Sequence, residues 1–156
     1  MRKQKLNLMS IKMTALIFKI INHGSAEYKA AVKLREGILR KPLGLTFLPE
    51  ELEAEKEHIQ IAGFQGDEVI STAVLVPEGK DYKMQRVVVK QGVQDSGIGS
   101  KMMGFCEDRA KKHGFKTIYC HARDSAMNFY LKNGYMAEGD YFDEDTIPHI
   151  KMRKML

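Results

Sequence analysis

Residues 87–100 read Val-Val-Val-Lys-Gln-Gly-Val-Gln-Asp-Ser-Gly-Ile-Gly-Ser, and their reading decides the fold. The β-branched triplet is the end of a strand. Beyond it a glycine-bearing loop opens a helix over residues 97–112, in which Ile98, Met102, Phe105, Cys106 and Ala110 form one apolar stripe. His113-Gly114 supplies the C-terminal stop. A strand that runs through such a loop into a helix leaves backbone N–H groups without intrahelical partners at the positive end of the helix dipole. Phosphate is the natural guest there, and Gly97 and Gly99 would let it reach the backbone. The same two glycines would also serve a plain tight turn.

Upstream, residues 58–65, 68–77 and 82–90 are three strand candidates, joined by Gly66-Asp67 and by a turn over 77–81, which makes an antiparallel meander. Before them, the run TALIFKIIN at 14–22 is a first strand, and residues 26–40 carry Tyr28, Ala31, Val32, Arg35, Ile38 and Leu39 near helical spacing, with Pro42 and Gly44 beyond. The acidic stretch at 50–57 is expected to be a solvated loop or short helix without chemistry. Downstream, residues 116–121 form a short strand, 125–132 a helix ended by Asn133-Gly134, and 135–137 and 147–152 two last strands. Glu138, Asp140, Asp143, Glu144 and Asp145 are then expected in a loop between those strands. The order of elements predicts an α+β, or mixed α/β, domain over 14–156 built on one sheet of six or seven strands. Residues 1–13 are expected to be a flexible basic lead-in.

The chain has 156 residues, 44% hydrophobic and 29% charged, which suits one soluble folded domain and excludes disordered and membrane classes. Its formal charge of +5 lies entirely in Arg2, Lys3, Lys5, Lys12 and Lys19, and the remainder balances. A basic face on the folded part, as nucleic-acid modules show, is not expected. Cys106 and Cys120 suit two free thiols in the cytoplasm, and no spacing suggests a metal. Asn7, Lys12 and Lys19 break any secretion signal, and Met9 or Met13 would serve as a start as well as Met1.

Two phosphate loops are excluded by the letters. A Walker loop needs Gly-Lys-Ser/Thr, whereas Ser100-Lys101 follows Gly99; a dinucleotide loop needs a third glycine where Met102 stands. What remains is Gln94-Asp95-Ser96-Gly97-Ile98-Gly99, a Q-x-x-G-x-G string. It closely resembles motif A of the GNAT superfamily of acetyl-CoA-dependent N-acetyltransferases. Residues 125–135, SAMNFYLKNGY, are similar to the same family's A-x-x-F-Y-x-K-x-G-F segment.

The resemblance implies a mixed, mostly antiparallel sheet flanked by about four helices, acetyl-CoA as cosubstrate, no metal, an amine acceptor and, as in many members, a homodimer. It implies that main-chain groups of Gln94, Asp95, Ser96, Gly97, Ile98, Gly99 and Ser100 cradle the CoA pyrophosphate. Val87 and Val89 would serve the pantetheine arm, and Asn128 and Phe129 would contact CoA. Tyr130 takes the place of the thiolate's proton donor. Gln85 stands where many members have a glutamate, and an amide can only orient a water or the amine. His58, His121 and His149 are candidate bases, and water is another. Arg123 replaces a frequent asparagine and Gln91 a frequent proline. The competing expectation is a CoA-binding regulatory domain without turnover.

Overall fold

The computed structural model describes residues 15–156. The expected lead-in at 1–13 lies outside the described residues. Seven strands form one sheet: β1 (Leu16–Ile21), β2 (Ile59–Gln65), β3 (Glu68–Glu78), β4 (Asp81–Val89), β5 (Thr117–Arg123), β6 (Met136–Glu144) and β7 (Ile147–Met155). Their spatial order is β1-β2-β3-β4-β5-β7-β6. Every neighbouring pair is antiparallel except β4 with β5. Four α-helices accompany the sheet among the described residues: α1 (Ala26–Leu39), α2 (Pro49–Ala54), α3 (Ile98–Lys112) and α4 (Met127–Lys132).

Local chemistry explains most boundaries. Ser25 caps α1 by accepting the Tyr28 N–H at 3.1 Å. Gly66, at φ +62, opens the two-residue turn between β2 and β3. The β6–β7 connection corrects the expectation of an acidic loop. Strand β6 runs the whole way to Glu144, and only Asp145 and Thr146 turn, both at positive φ. Pairing of Phe142 with His149 and of Glu144 with Ile147 holds the acids in a strand that their own propensities oppose.

The sheet is packed on both faces. On one, Met102, Met103, Cys106 and Ala110 of α3 meet Leu75, Met84, Ile118, Cys120 and Met152. On the other, Tyr28 and Ala31 of α1 meet Ile21, Ala62 and Phe64. The parallel pairing of β4 with β5 is short: it joins Asp81–Met84 to Thr117–Cys120 and stops. Both strands continue beyond it, to Val89 and to Arg123, without pairing to each other. A register shift against β3 between Thr72 and Val74 bends β4 at this point, with Arg86 at φ 53. The Thr72 hydroxyl holds the bend by donating to the Arg86 carbonyl at 3.0 Å.

Candidate active site

Where β4 and β5 part, a cavity of about 410 Å³ opens. Gln85 and Val87 of β4, Cys120, His121 and Arg123 of β5, and Tyr130 of α4 all line it. Alternation along β5 sends Cys120 and Ala122 toward the α3 face and His121 and Arg123 toward the α1 face. The opening therefore has two chemically different sides.

The glycine loop lies at one end of β4. The Lys101 N–H is the first bonded within α3, donating to the Gly97 carbonyl at 3.1 Å, so the donors of Ile98, Gly99 and Ser100 lack intrahelical partners. Gly97 caps the helix at φ +81, and a Cβ there would meet nothing within 4 Å. Gly99 differs: its Cβ would come within 2.9 Å of the Phe129 ring and 3.6 Å of Val89. Gly99 therefore also serves the packing of α3 on α4, in addition to the expected role of clearing space for an anion. Gln94, Asp95 and Ser96 form a 3-10 turn ahead of it. The Gln94 side chain donates to the Val89 carbonyl at 3.1 Å, which engages one of that acceptor's two lone pairs. Ile98 is buried, whereas Asn128 is exposed. None of Val89, the loop residues, Asn128 or Phe129 lines the cavity, which Gln85, Val87 and Tyr130 do.

Tyr130 is 6% exposed. Burial, then the neighbouring Cys120, pushes its titration well above the ordinary tyrosine range. It stays protonated as a donor. Burial also lifts the Cys120 thiol to about 12, so no thiolate forms there.

The acidic stretch before β2 is the principal correction. The stretch forms a short helix, α2, and a 3-10 turn, one of the two forms expected, but it is not merely solvated: Glu55 is 2% exposed. Its carboxylate accepts from Arg35 Nη2 at 3.0 Å, Tyr28 Oη at 3.1 Å and Arg86 Nε at 3.4 Å. Burial, with the Glu55 charge second, raises Tyr28 to about 12. Glu51 receives both terminal nitrogens of Arg40, at 3.1 and 2.7 Å, and that bond holds its carboxyl below the usual range. Arg40 and Arg86 also lie over the Phe47 ring, at 4.3 and 5.0 Å. Both arginines line the cavity. The signal that could have revealed the network was Arg35, a charged residue inside the apolar stripe of α1.

The five acids after residue 137 also divide. Glu138 is bonded to Arg153 at 2.6 Å, away from the cavity, while Glu144 and Asp145 reach its wall. Asp145 lies 3.7 Å from Arg40. Glu144 lies between two imidazoles: its Oε1 is 3.2 Å from His121 Nδ1 and its Oε2 3.5 Å from His149 Nε2. His149 Nδ1 is 2.8 Å from the Ile147 carbonyl. His58 does not line the cavity. Arg123 donates to the Leu39 carbonyl at 2.9 Å, joining the end of β5 to the end of α1. Among the described residues no group of three His, Cys, Asp or Glu side chains could hold a metal ion, and no helix is long and apolar enough to cross a membrane.

Residues 44–156 match the family described as the acetyltransferase (GNAT) domain. Protein YyaT of Bacillus subtilis is 25% identical over 134 residues, covering 83% of this chain and 89% of that protein. Protein ElaA of Escherichia coli is 26% identical over 109 residues, covering 67% of this chain and 70% of its own; its crystal structure superposes with a TM-score of 0.76 over 90% of this chain and 99% of that one. An aminoglycoside 6'-N-acetyltransferase complexed with coenzyme A superposes with a TM-score of 0.74 at 17% identity, over 89% of this chain and 96% of that one.

Proposed function

The chain belongs to the GNAT acetyltransferase family, and from that premise we propose that it moves an acetyl group from acetyl-CoA to a primary amine by direct attack, with both substrates bound together. The observation that carries this reading is the parting of β4 and β5 beyond Met84 and Cys120. Unpaired strand edges can be completed by an extended, amide-bearing chain such as pantetheine. At the loop end of β4, the free N–H groups of Ile98, Gly99 and Ser100 suit a pyrophosphate. Gly97 leaves that approach open.

On this reading Gln85, which lines the cavity, orients the amine or a water. Tyr130 keeps its proton until a stronger base forms beside it, and a departing thiolate is such a base. Holding the two substrates in one cleft supplies much of the acceleration by proximity.

The test is release of free thiol from acetyl-CoA with a panel of amines: an aliphatic diamine, an aminoglycoside, an amino acid and a lysine-bearing peptide. Thiol release dependent on an amine, with an acetylated product by mass spectrometry, supports the reading. CoA binding without turnover of any amine favours the regulatory domain, for which the absence of a carboxylate at Gln85 is the specific observation.

A further inference from the structure

At neutral pH a primary amine arrives as its ammonium ion and must lose a proton before it can attack, which Gln85 cannot accept. We propose that His121, oriented by Glu144, is the general base of this site; the assignment rests on the acetyl-transfer reading above.

The argument begins with tautomers. An ionised carboxylate can only accept, so the 3.2 Å contact of His121 Nδ1 with Glu144 places a proton on Nδ1. In the neutral ring Nε2 is then the bare, basic atom, and it has no partner among the described residues. The ring lines the cavity beside Gln85, and the edge of Phe142 packs on it at 4.9 Å, which limits its rotation. A base held through one nitrogen by a carboxylate, with the other nitrogen turned to substrate, is the arrangement that makes a histidine an effective proton acceptor.

His149 is the competitor and the geometry disfavours it. A carbonyl also only accepts, so its Nδ1 carries the proton given to Ile147. Its Nε2 faces the other oxygen of Glu144 at 3.5 Å, again an acceptor, so His149 turns no bare nitrogen to the cavity, and its side chain is 6% exposed against 28% for His121. The other charged or titratable groups around His121 or on the same cavity are Tyr119, Cys120 and Arg123 on its own strand, Lys151 opposite it on β7, Lys83 and Arg86 on β4, Arg40 after α1, Tyr130 on α4 and Asp145 in the β6–β7 turn.

The step balances without any further reactant. An N–H proton of the ammonium passes to His121 Nε2; the freed lone pair forms the N–C bond to the acetyl carbon as the C–S bond breaks. The sulfur leaves with the bonding electrons and takes a proton from Tyr130 or water; the acylated nitrogen then sheds its second proton, which restores Tyr130 or the water and leaves the neutral amide, and His121 returns the first proton to solvent. Glu144 is a positioning residue that also stabilises the imidazolium.

The experiment measures kcat/KM against pH, with the most active amine of the panel, for wild type, His121→Asn, Glu144→Gln and His149→Gln. His121→Asn should lose on the order of 10² to 10⁴ fold near neutral pH, keep its acetyl-CoA affinity, and recover toward wild type at high pH, where the amine is already neutral. Glu144→Gln should move the acid limb to lower pH, and His149→Gln should leave it in place. Unchanged rate and profile in His121→Asn, or a limb that moves with His149→Gln alone, overturns the assignment. Titration of the imidazole signals by NMR tests the pair without turnover. A His121 midpoint unmoved by Glu144→Gln counts against it, and a lowered one supports it. If wild type acetylates no amine, the acetyl-transfer reading itself fails, an outcome distinct from an active wild type with a fully active His121→Asn.

Discussion

Gln94 donates its side-chain amide to the carbonyl of Val89 across 3.1 Å, so the loop between β4 and α3 is closed by a side chain of its own. An exposed bond of this kind contributes about 0.5–1.5 kcal/mol. Gln94→Ala should weaken CoA binding several-fold by loosening the loop, with little change in Tm. Calorimetry showing unchanged affinity would mean that the loop keeps its shape without the tether.

Gly99 separates packing from anion binding. Gly99→Val places branched carbons against Phe129, whose ring would lie 2.9 Å from the new Cβ, and should cost about 1–3 kcal/mol of stability. Phe129→Ala added to it should restore part of the lost Tm. If Gly99→Val keeps the wild-type Tm and loses only CoA binding, the glycine is there for the ligand instead.

The Arg35–Glu55 pair is almost wholly buried, at 1% and 2% side-chain exposure. Removing one member strands the other, and Arg35 already has Nε and Nη1 without partners among the described residues. Glu55→Ala should therefore destabilise by about 3–5 kcal/mol in urea unfolding. A loss under about 1 kcal/mol would show that Arg35 finds water.

The Arg40–Glu51 contact fixes a pH dependence. Because the Arg40 bond lowers the Glu51 pKa in the folded state, its stabilisation is complete above the unfolded-state carboxyl pKa, near 4.3, and is lost as pH falls through the lower folded value. Wild type should lose Tm on acidification through that window more steeply than Glu51→Gln. Parallel curves would show that the contact has no net effect.

Tyr130→Phe keeps the ring against Phe129 and Tyr135, at 5.1 and 5.5 Å, and removes the hydroxyl. Turnover should fall by roughly 10² fold or more at unchanged CoA affinity. Full activity would assign thiolate protonation to water.

The meander and the helix after the glycine loop were legible in the sequence because alternation, a two-residue glycine turn and a 3.6-residue stripe are local signals. The length of β6 was not, since its acids argue for a loop and only its partner β7 makes it a strand. Nor was the wall of arginines. Glu55 meets Arg35 and Arg86 across 20 and 31 residues of sequence, and no periodicity encodes such a meeting. Gln85, Val87 and Tyr130, singled out by the family resemblance, line the cavity. The Glu144 contact to His121 required knowing that β7 lies between β5 and β6.

The shortness of the β4–β5 pairing also bears on how the chain assembles. On one side of that joint the strands follow one another through hairpins and the α1 crossover, and on the other β5, β7 and β6 make a second antiparallel group. The joint itself brings together Asp81 and Thr117, 36 residues apart, for only four residue pairs. Loop closure of that length is costly for so few contacts, so the two groups are expected to order before they dock, with the cleft the last part of the sheet to form. A molecule that spans both unpaired edges would add the backbone bonds this joint lacks, and hydrogen exchange at residues 82–89 and 118–123 should slow on CoA binding more than exchange in the hairpins. On this view the substrate is a missing length of sheet, and the enzyme is most cohesive when it is loaded.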